Sequence, residues 1–308
     1  ALSVGLMLLF PTRWMFLVMN VVMGATQALT QISTGPFVVE NSTKVERAYL
    51  YSFSMGFMNT ANFAGNWLGG YLPKWMGLWQ KVSVTSTLAY ALALGVAAMG
   101  LLLGILPFLF IRQPSREAMG ERSIFAPLQY FREKPILLGK LILPTLLISM
   151  GAGLVIPFLN VYFRTVHGQS DAVIGTLFAW GSAATALGMI VAPMLADRWG
   201  KMPVVMATQG LSIPFLVILG FVPSFEWVVV AFYMRMALMN MSTPIYQTFA
   251  LEQIDASARG MVASLNSMAW SFGWAFSPIV SGWVQVRWGF GPAFLGTILL
   301  YTCAVGLY

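Results

Sequence analysis

Long runs of apolar residues, separated by short polar segments, dominate this sequence. Only 9% of its 308 residues are charged and 58% are hydrophobic, whereas a soluble domain carries about 25% charged residues. A helix that crosses a bilayer needs about 20 apolar residues. The runs are continuous rather than alternating, which favours helices over a membrane barrel. The sequence therefore predicts an all-α polytopic membrane protein.

Nine of these runs are long enough to cross a membrane, and a shorter one precedes them. We expect the short run, residues 1–10, to be the end of a helix that begins earlier. The predicted spans are residues 13–38, 47–72, 84–111, 136–163, 171–195, 202–222, 226–250 and 261–284, followed by a last one from about residue 291. The chain thus has about nine transmembrane helices plus a partial one.

Basic residues between the predicted spans indicate how the chain is oriented. Eleven Lys and Arg residues fall in the connections on one side and five on the other, and an excess of positive charge marks the cytoplasmic side. Six of the eleven lie in or beside the longest polar segment, 112–135. This segment is interpreted either as a solvated linker or as a short amphipathic helix on the membrane surface. It divides the chain into a domain at 1–111 and a six-span domain at 136–308.

A cluster of charges around Gly200 separates two of the predicted spans. Asp197, Arg198 and Lys201 surround this glycine, and such charges are costly inside hydrocarbon. The cluster therefore predicts a tight turn at a membrane face, with Gly200 ending the preceding helix in the left-handed conformation. Asp-Arg-x-Gly-Lys between two spans resembles the loop between the second and third helices of each half in the major facilitator superfamily.

The two parts of the chain are related to each other at a fixed offset of 212 residues. Internal repeats at the scale of half a chain are typical of transporter folds. The pairs are Glu40 with Glu252, Arg47 with Arg259, Ser52 with Ser264, Ala61 with Gly273, Gly65 with Ser277, Gly70 with Gly282 and Gly77 with Gly289. If both halves had six spans, two and a half helices are expected before residue 1.

The resemblance to the major facilitator superfamily covers the whole chain, from late in the family's third helix to its twelfth. It implies a two-bundle fold that moves a solute by alternating access. It also implies that the turn containing Asp197 docks near the start of the span at Arg47 and latches the outward-open state. The residues to which this gating role is assigned are Asp197, Arg198, Gly200, Lys201, Glu40, Arg47, Glu252 and Arg259.

Small residues are spaced along two equivalent spans in a pattern that resembles the family's antiporter motif. Residues of this kind let helices approach closely in lipid. The candidates for helix packing are Gly65, Gly69 and Gly70 in one span and Gly273, Pro278 and Gly282 in the other. Asn66 stands where the first of these spans would have the motif's proline, and close packing without any role in antiport is an equally good interpretation.

Polar side chains within the predicted spans need either a partner or a water-filled cavity. Helix–helix hydrogen bonding is the simpler interpretation for a single Asn or Gln. The candidates for lining a substrate cavity are Asn20, Gln27, Gln31, Asn160, Arg235, Asn240, Asn266 and Trp270. By resemblance, most of these lie on family helices that surround the central cavity.

Arg235 is the predicted charge deepest in the membrane. It lies nine residues after Glu226, hence about 13 Å along a helix, near the middle of a core about 30 Å thick. A cation there costs on the order of 2.5–3.5 kcal/mol. The candidate partners are Gln27 and Gln31, an acid in the expected missing helices, or an anionic group on the substrate. A misplaced span boundary, with Arg235 reaching outward, is the alternative.

No enzyme motif is recognised, so no catalytic residue, metal or cofactor is expected, and the lone loop histidine, His167, is expected to be solvated. The function implied is a secondary active transporter in the plasma (inner) membrane for a small organic solute, either anionic or amphipathic. Proton-coupled efflux and uniport both stay open. The alternative is a transporter-derived solute sensor or scaffold. The expected partners are the lipid bilayer, the solute and protons, without nucleic acid.

Overall fold

A computed structural model describes residues 2–10, 12–40, 44–110, 135–254 and 259–308, and only the backbone at 31–40, 44–53, 55–56 and 108–109. Every regular element in these ranges is helical. This follows from the apolar composition, because hydrocarbon offers a backbone no external hydrogen-bond partner and a helix satisfies its own groups. The prediction of an all-α fold is confirmed.

The first of two compact units comprises Ala1–Ala118 together with Asp171–Thr176. Its helices are α1 (Leu2–Leu9), α2 (Arg13–Glu40), α3 (Lys44–Gln80), α4 (Thr87–Leu103) and the short α5 (Leu106–Leu109). Ser86 caps α4, since its side chain accepts a hydrogen bond from the Ala89 amide. Helix α1 packs against both α2 and α4, and α3 packs against α4.

The second unit comprises Met119–Ser170 and Leu177–Tyr308. Its helices are α6 (Pro135–Val155), a 3₁₀ turn (Ile156–Phe158), α7 (Leu159–Thr165), α8 (Asp171–Trp199, of which Asp171–Thr176 belongs to the first unit), α9 (Lys201–Phe221), α10 (Phe225–Glu252), α11 (Arg259–Trp288) and α12 (Gly291–Leu307). Helix α6 packs most extensively against α11 and α12, and α9 against α10. Helix α12 also packs against α9, so the two groups of helices form one core.

The helices agree with the predicted spans in number and order within the described ranges. Two predicted spans are exceptions. The span 84–111 contains two helices, α4 and α5, and within 136–163 the 3₁₀ turn at Ile156–Phe158 separates α6 from α7. Four segments are long and apolar enough to cross a membrane by length and composition, namely Pro135–Thr165, Asp171–Trp199, Lys201–Phe221 and Phe225–Glu252. Thr87–Leu103 and Gly291–Leu307 are shorter apolar helices.

Internal prolines recur along the helices of the second unit. They are Pro144 in α6, Pro193 in α8, Pro214 in α9, Pro244 in α10 and Pro278 in α11. Proline has no amide hydrogen and crowds the preceding turn, so it is costly inside a helix in water. In a membrane bundle, neighbouring helices satisfy the freed groups.

The segment predicted as a linker, 112–135, lies outside the described residues except for Pro135, which begins α6. The division into domains at 1–111 and 136–308 therefore stays a prediction.

Candidate functional site

The charged turn is shorter than predicted, because Asp197 and Arg198 still belong to the last turn of α8. Gly200 alone connects α8 to α9, and its amide donates to the Ala196 carbonyl. Its φ is 86° and its ψ is 154°, so the positive φ is as predicted but the conformation is not the left-handed helical one. Residues with a Cβ avoid this region, which explains why glycine stands here.

Lys201 forms an ion pair with Glu252, the last residue of α10. Their side chains are 36% and 50% exposed, so this pair contributes less than about 1 kcal/mol. It nevertheless shows that the turn at Gly200 and the end of α10 lie at one end of the second unit, called here the motif end. Of the other predicted gating residues in α8, both Asp197 and Arg198 are exposed.

Arg259 begins α11 at the same motif end. Its Nε atom donates to the carbonyl of Leu251, 3.0 Å away. Together with Glu252 it borders an open cavity of about 430 Å³, whose lining residues are Pro244, Gln247, Thr248, Leu251, Glu252 and Arg259. Glu40 and Arg47, which the repeat aligns with Glu252 and Arg259, lie at the end of α2 and in the first turn of α3. Their side chains are outside the described part, so their gating role stays a prediction.

Gly273 lies where α11 crosses α6 at close range. A Cβ built on Gly273 would be 2.0 Å from the Ser149 Oγ atom, and one on Gly153 would be 3.3 Å from the Pro278 Cδ atom. The Ser149 hydroxyl, at 3.2 Å, donates to the Ala269 carbonyl across the same interface. The structure thus places Gly273 and Pro278 in a tight helix contact, whereas Gly282 has only an ordinary neighbour, Phe158 Cζ at 3.7 Å.

Gly70 makes a comparable contact within the first unit. A Cβ on this residue would be 2.6 Å from the carbonyl oxygen of Asp171 and 2.8 Å from the Cα atom of Gly175. The Tyr90 hydroxyl donates to the Asp171 carboxylate beside it. Gly65 and Gly69, predicted to act with Gly70, have no described atom within 4 Å of such a Cβ.

The predicted cavity residues fall in different environments. On α2, Asn20 and Gln27 are exposed, Asn20 donates to the Phe16 carbonyl at 2.7 Å, and the Gln31 side chain is outside the described part. Asn160 is exposed and accepts from the Val161 amide. Asn20 and Asn160 thus bond within their own helices, and no hydrogen bond to another helix is found for either among the described residues. Their cavity role stays a prediction.

Helices α10 and α11 carry the other three amide and aromatic candidates. Asn240 is partly buried and donates to the Met236 carbonyl at 2.8 Å. Asn266 has a buried Oδ1 atom without a hydrogen-bond partner. Trp270 is 42% exposed within its unit. Asn240 lies one turn before Pro244, which lines the cavity at the motif end.

Arg235 is 1% exposed, and it is the only charged side chain among the described residues that is buried. One of its terminal nitrogens, Nη2, donates to the Tyr301 hydroxyl on α12 at 3.0 Å. Arg235 was expected to need a polar partner, and the structure provides the neutral hydroxyl of Tyr301. The alternative, in which the side chain reaches outward to the membrane surface, does not apply within the second unit. The role of Arg235 in lining a substrate cavity stays a prediction.

His167, which is expected to be solvated, is only partly exposed. Its Nε2 atom lies 3.2 Å from the Tyr162 hydroxyl, which itself donates to the Leu219 carbonyl at 2.8 Å. The imidazole packs edge-on against the Tyr162 ring and against Phe225. Partial burial lowers the pKa of the His167 imidazole from its usual value of 6.5. The aromatic residues five positions before it were the signal that could have indicated this packing.

Comparisons with known proteins agree with this architecture. Two relatives carry the name "Multidrug resistance protein MdtG". The one from Dickeya zeae (strain Ech586) is 25% identical over 305 residues, covering 96% of this chain and 71% of its own. The one from Proteus mirabilis (strain HI4320) is 24% identical over 296 residues, covering 92% and 69%.

Among solved structures, the fold is similar to that of a bacterial homolog of the human lysosomal transporter Spinster. The TM-score is 0.74 at 14% identity, covering all of this chain and 79% of the other. The major facilitator superfamily profile matches residues 1–278. With these helices, this repeat and the turn at Gly200, the chain is an integral membrane protein that belongs to the Major Facilitator Superfamily of transporters.

Proposed function

We propose that this protein exports small amphipathic organic solutes from the cytoplasm by alternating access. Membership of a transporter family supports transport of a small solute, and the name of the MdtG relatives supports export of compounds of several kinds. The observation that carries the proposal furthest is the cavity of about 430 Å³ at the motif end. Sites for small organic molecules typically have volumes of about 300–1,000 Å³.

The lining of this cavity combines the chemistry that an amphipathic solute needs. Pro244 and Leu251 are apolar, Gln247 and Thr248 offer an amide and a hydroxyl, and Glu252 and Arg259 bring opposite charges to the edge. Mostly apolar walls with a few polar groups are typical of ligand sites. The proposed sequence of events begins with solute entering this cavity, before the bundles rearrange.

The motif end is assigned to the cytoplasm in this proposal. The eleven-to-five excess of basic residues supports the assignment, because positive connections stay on the cytoplasmic side. The same argument supports a cytoplasmic position for the segment 112–135, which we propose to be the linker between the two bundles.

Transport in inverted membrane vesicles containing the full-length protein tests this function. Two threonines provide a matched pair. The Thr248 hydroxyl donates to the carbonyl four residues earlier and lines the cavity, while the exposed Thr302 makes the same bond on α12. We expect Thr248→Phe to lower the rate of dye uptake into inverted vesicles about tenfold by filling the cavity. Thr302→Phe is expected to leave this rate unchanged.

The same assay separates the alternatives. A wild-type protein that binds the dye but does not move it would be a sensor or scaffold. Loss of uptake when an ionophore collapses the pH gradient identifies proton coupling, and persistence of downhill movement identifies uniport. Equal rates in Thr248→Phe and the wild type would remove the cavity from the transport path.

A further inference from the structure

Helices α9, α10 and α12 share a line of buried polar side chains within the second unit, called here the polar seam. Its members are Arg235, Tyr301, Gln209, Ser212, Ser242 and Tyr308. Gln209 donates to Ser242 at 3.0 Å, and Ser212 donates to the thioether of Met239 at 3.6 Å. Buried polar groups are rarely left without partners, yet Arg235 Nε has none among the described residues. The polar seam therefore has unfilled hydrogen-bonding capacity.

The charge of Arg235 is the largest uncompensated feature of the polar seam. Guanidinium groups stay protonated in proteins, and this one is 1% exposed. Its contacts are the Tyr301 hydroxyl at 3.0 Å and the Met236 sulfur at 3.8 Å, both neutral, while the Tyr301 ring lies 5.9 Å from the guanidinium carbon. Within the described ranges it forms no ion pair. A buried cation without a counter-charge is strongly unfavourable.

The free hydrogen-bonding groups around Arg235 are all donors. Its Nε–H has no partner. The Tyr301 hydroxyl accepts from Arg235, so its own hydrogen is available. The terminal nitrogen near Met236 meets only a weak sulfur acceptor. A cation surrounded by unused donors matches an anion in both charge and hydrogen bonding.

We propose that Arg235 and Tyr301 form a binding site for a monovalent anion in the interior of the second unit. The anion accepts from Arg235 Nε and from the Tyr301 hydroxyl. Met236 is the adjustable neighbour, because its unbranched side chain can change rotamer and admit the anion. Either a small inorganic anion or the carboxylate of an organic solute has this chemistry, and the second source rests on the proposed export function.

Thermal unfolding of the full-length protein in detergent tests the site without requiring transport. Ionic strength is held constant while sulfate, a divalent anion that one buried cation does not match, is replaced by chloride in one series and by benzoate in another. Because a ligand that binds the folded state stabilises it, we expect at least one replacement to raise the midpoint by about 2 °C or more. A response to chloride identifies an inorganic anion, and a response to benzoate alone identifies an organic carboxylate.

Three variants connect the response to the site. Arg235→Gln is expected to abolish the shift. Tyr301→Phe keeps the ring that packs against Gly151 and removes only the hydroxyl, so it remains informative if the first variant does not fold. It is expected to raise the apparent Kd about tenfold. Arg287→Gln is the control, since this exposed arginine lies over Trp283 at 4.5 Å, away from the polar seam.

Two results would overturn the proposal. One is the absence of any anion-specific shift in the wild type. The other is a wild-type shift that Tyr301→Phe and Arg235→Gln both retain, or that Arg287→Gln also loses. A protein that binds the anion but exports no dye would contradict the export function alone.

Discussion

Gly273 and Ser149 lie at the closest approach of α11 to α6. A Cβ on Gly273 would be 2.0 Å from the Ser149 Oγ atom and 2.7 Å from the Met150 amide nitrogen. Rotating the serine hydroxyl would relieve only the first contact, because the second is with backbone. Glycine is therefore required at this crossing by space alone, since no positive φ is recorded for it.

Gly273→Ala is expected to destabilise the second unit by about 1–3 kcal/mol, as overpacking of a tight contact does. Gly282→Ala in the same helix is the matched control, since its Cβ would have an ordinary contact at 3.7 Å. Thermal unfolding in detergent measures both. Equal midpoints for the two alanine variants would show that α6 and α11 separate at little cost.

His167 predicts a dependence of stability on pH. Because burial lowers the folded-state pKa of this imidazole, the folded protein disfavours the protonated form. Stability is then complete above about pH 6.5 and falls as the pH drops through the range between the unfolded and folded pKa values. We expect the midpoint of thermal unfolding to depend less on pH in His167→Gln than in the wild type, between about pH 8 and pH 5. If the unfolding midpoint of this variant falls with pH as steeply as that of the wild type, the pH dependence comes from other groups.

The orientation of the chain is tested by cysteine labelling. Cys303 is exposed, so the reporters Ser123→Cys and Ser170→Cys are each placed in a Cys303→Ala background. Because the basic excess assigns the linker segment to the cytoplasm, an impermeant reagent added to intact cells is expected to label Ser170→Cys and not Ser123→Cys. The reverse pattern would invert the proposed topology.

Asp197 predicts a conformational effect that is separable from helix stability. It lies in the last turn of α8, where a carboxylate is unfavourable to its own helix. Asp197→Asn is therefore expected to leave the unfolding midpoint unchanged or slightly raised. If the carboxylate docks at the start of another helix, its loss shifts the full-length protein about two- to fivefold toward the inward-open state.

Accessibility of single cysteines at the two membrane faces measures that shift. A variant with wild-type accessibility at both faces and normal transport would show that Asp197 only marks the membrane surface.

The helices could be predicted from sequence because apolar runs and charged interruptions determine them locally. The end of α9 at Phe221 and the start of α10 at Phe225 fall within one residue of prediction. The break after Val155 was missed, because Pro157 sits within an otherwise continuous apolar run. The sequence predicts that the glycine patterns of the two spans are equivalent. It does not predict that Gly273 has close neighbours in another helix while Gly65 has none among the described residues.

Side-chain partners could not be predicted, because they depend on the rotation of one helix against another. Arg235 was recognised as buried and in need of a partner, yet Tyr301 lies 66 residues later in the sequence. If α12 were shifted by one helical turn in either direction, another residue would replace Tyr301 at this contact. The local periodicity of the sequence does not determine this shift.

The prolines inside α6, α8, α9, α10 and α11 affect how this bundle deforms. Each deletes one rung of the helical hydrogen-bond ladder. A helix that lacks one of these hydrogen bonds bends there more easily than elsewhere, so each of these five helices can bend at its proline. Strain applied at one end of the bundle is then absorbed by small bends at these prolines.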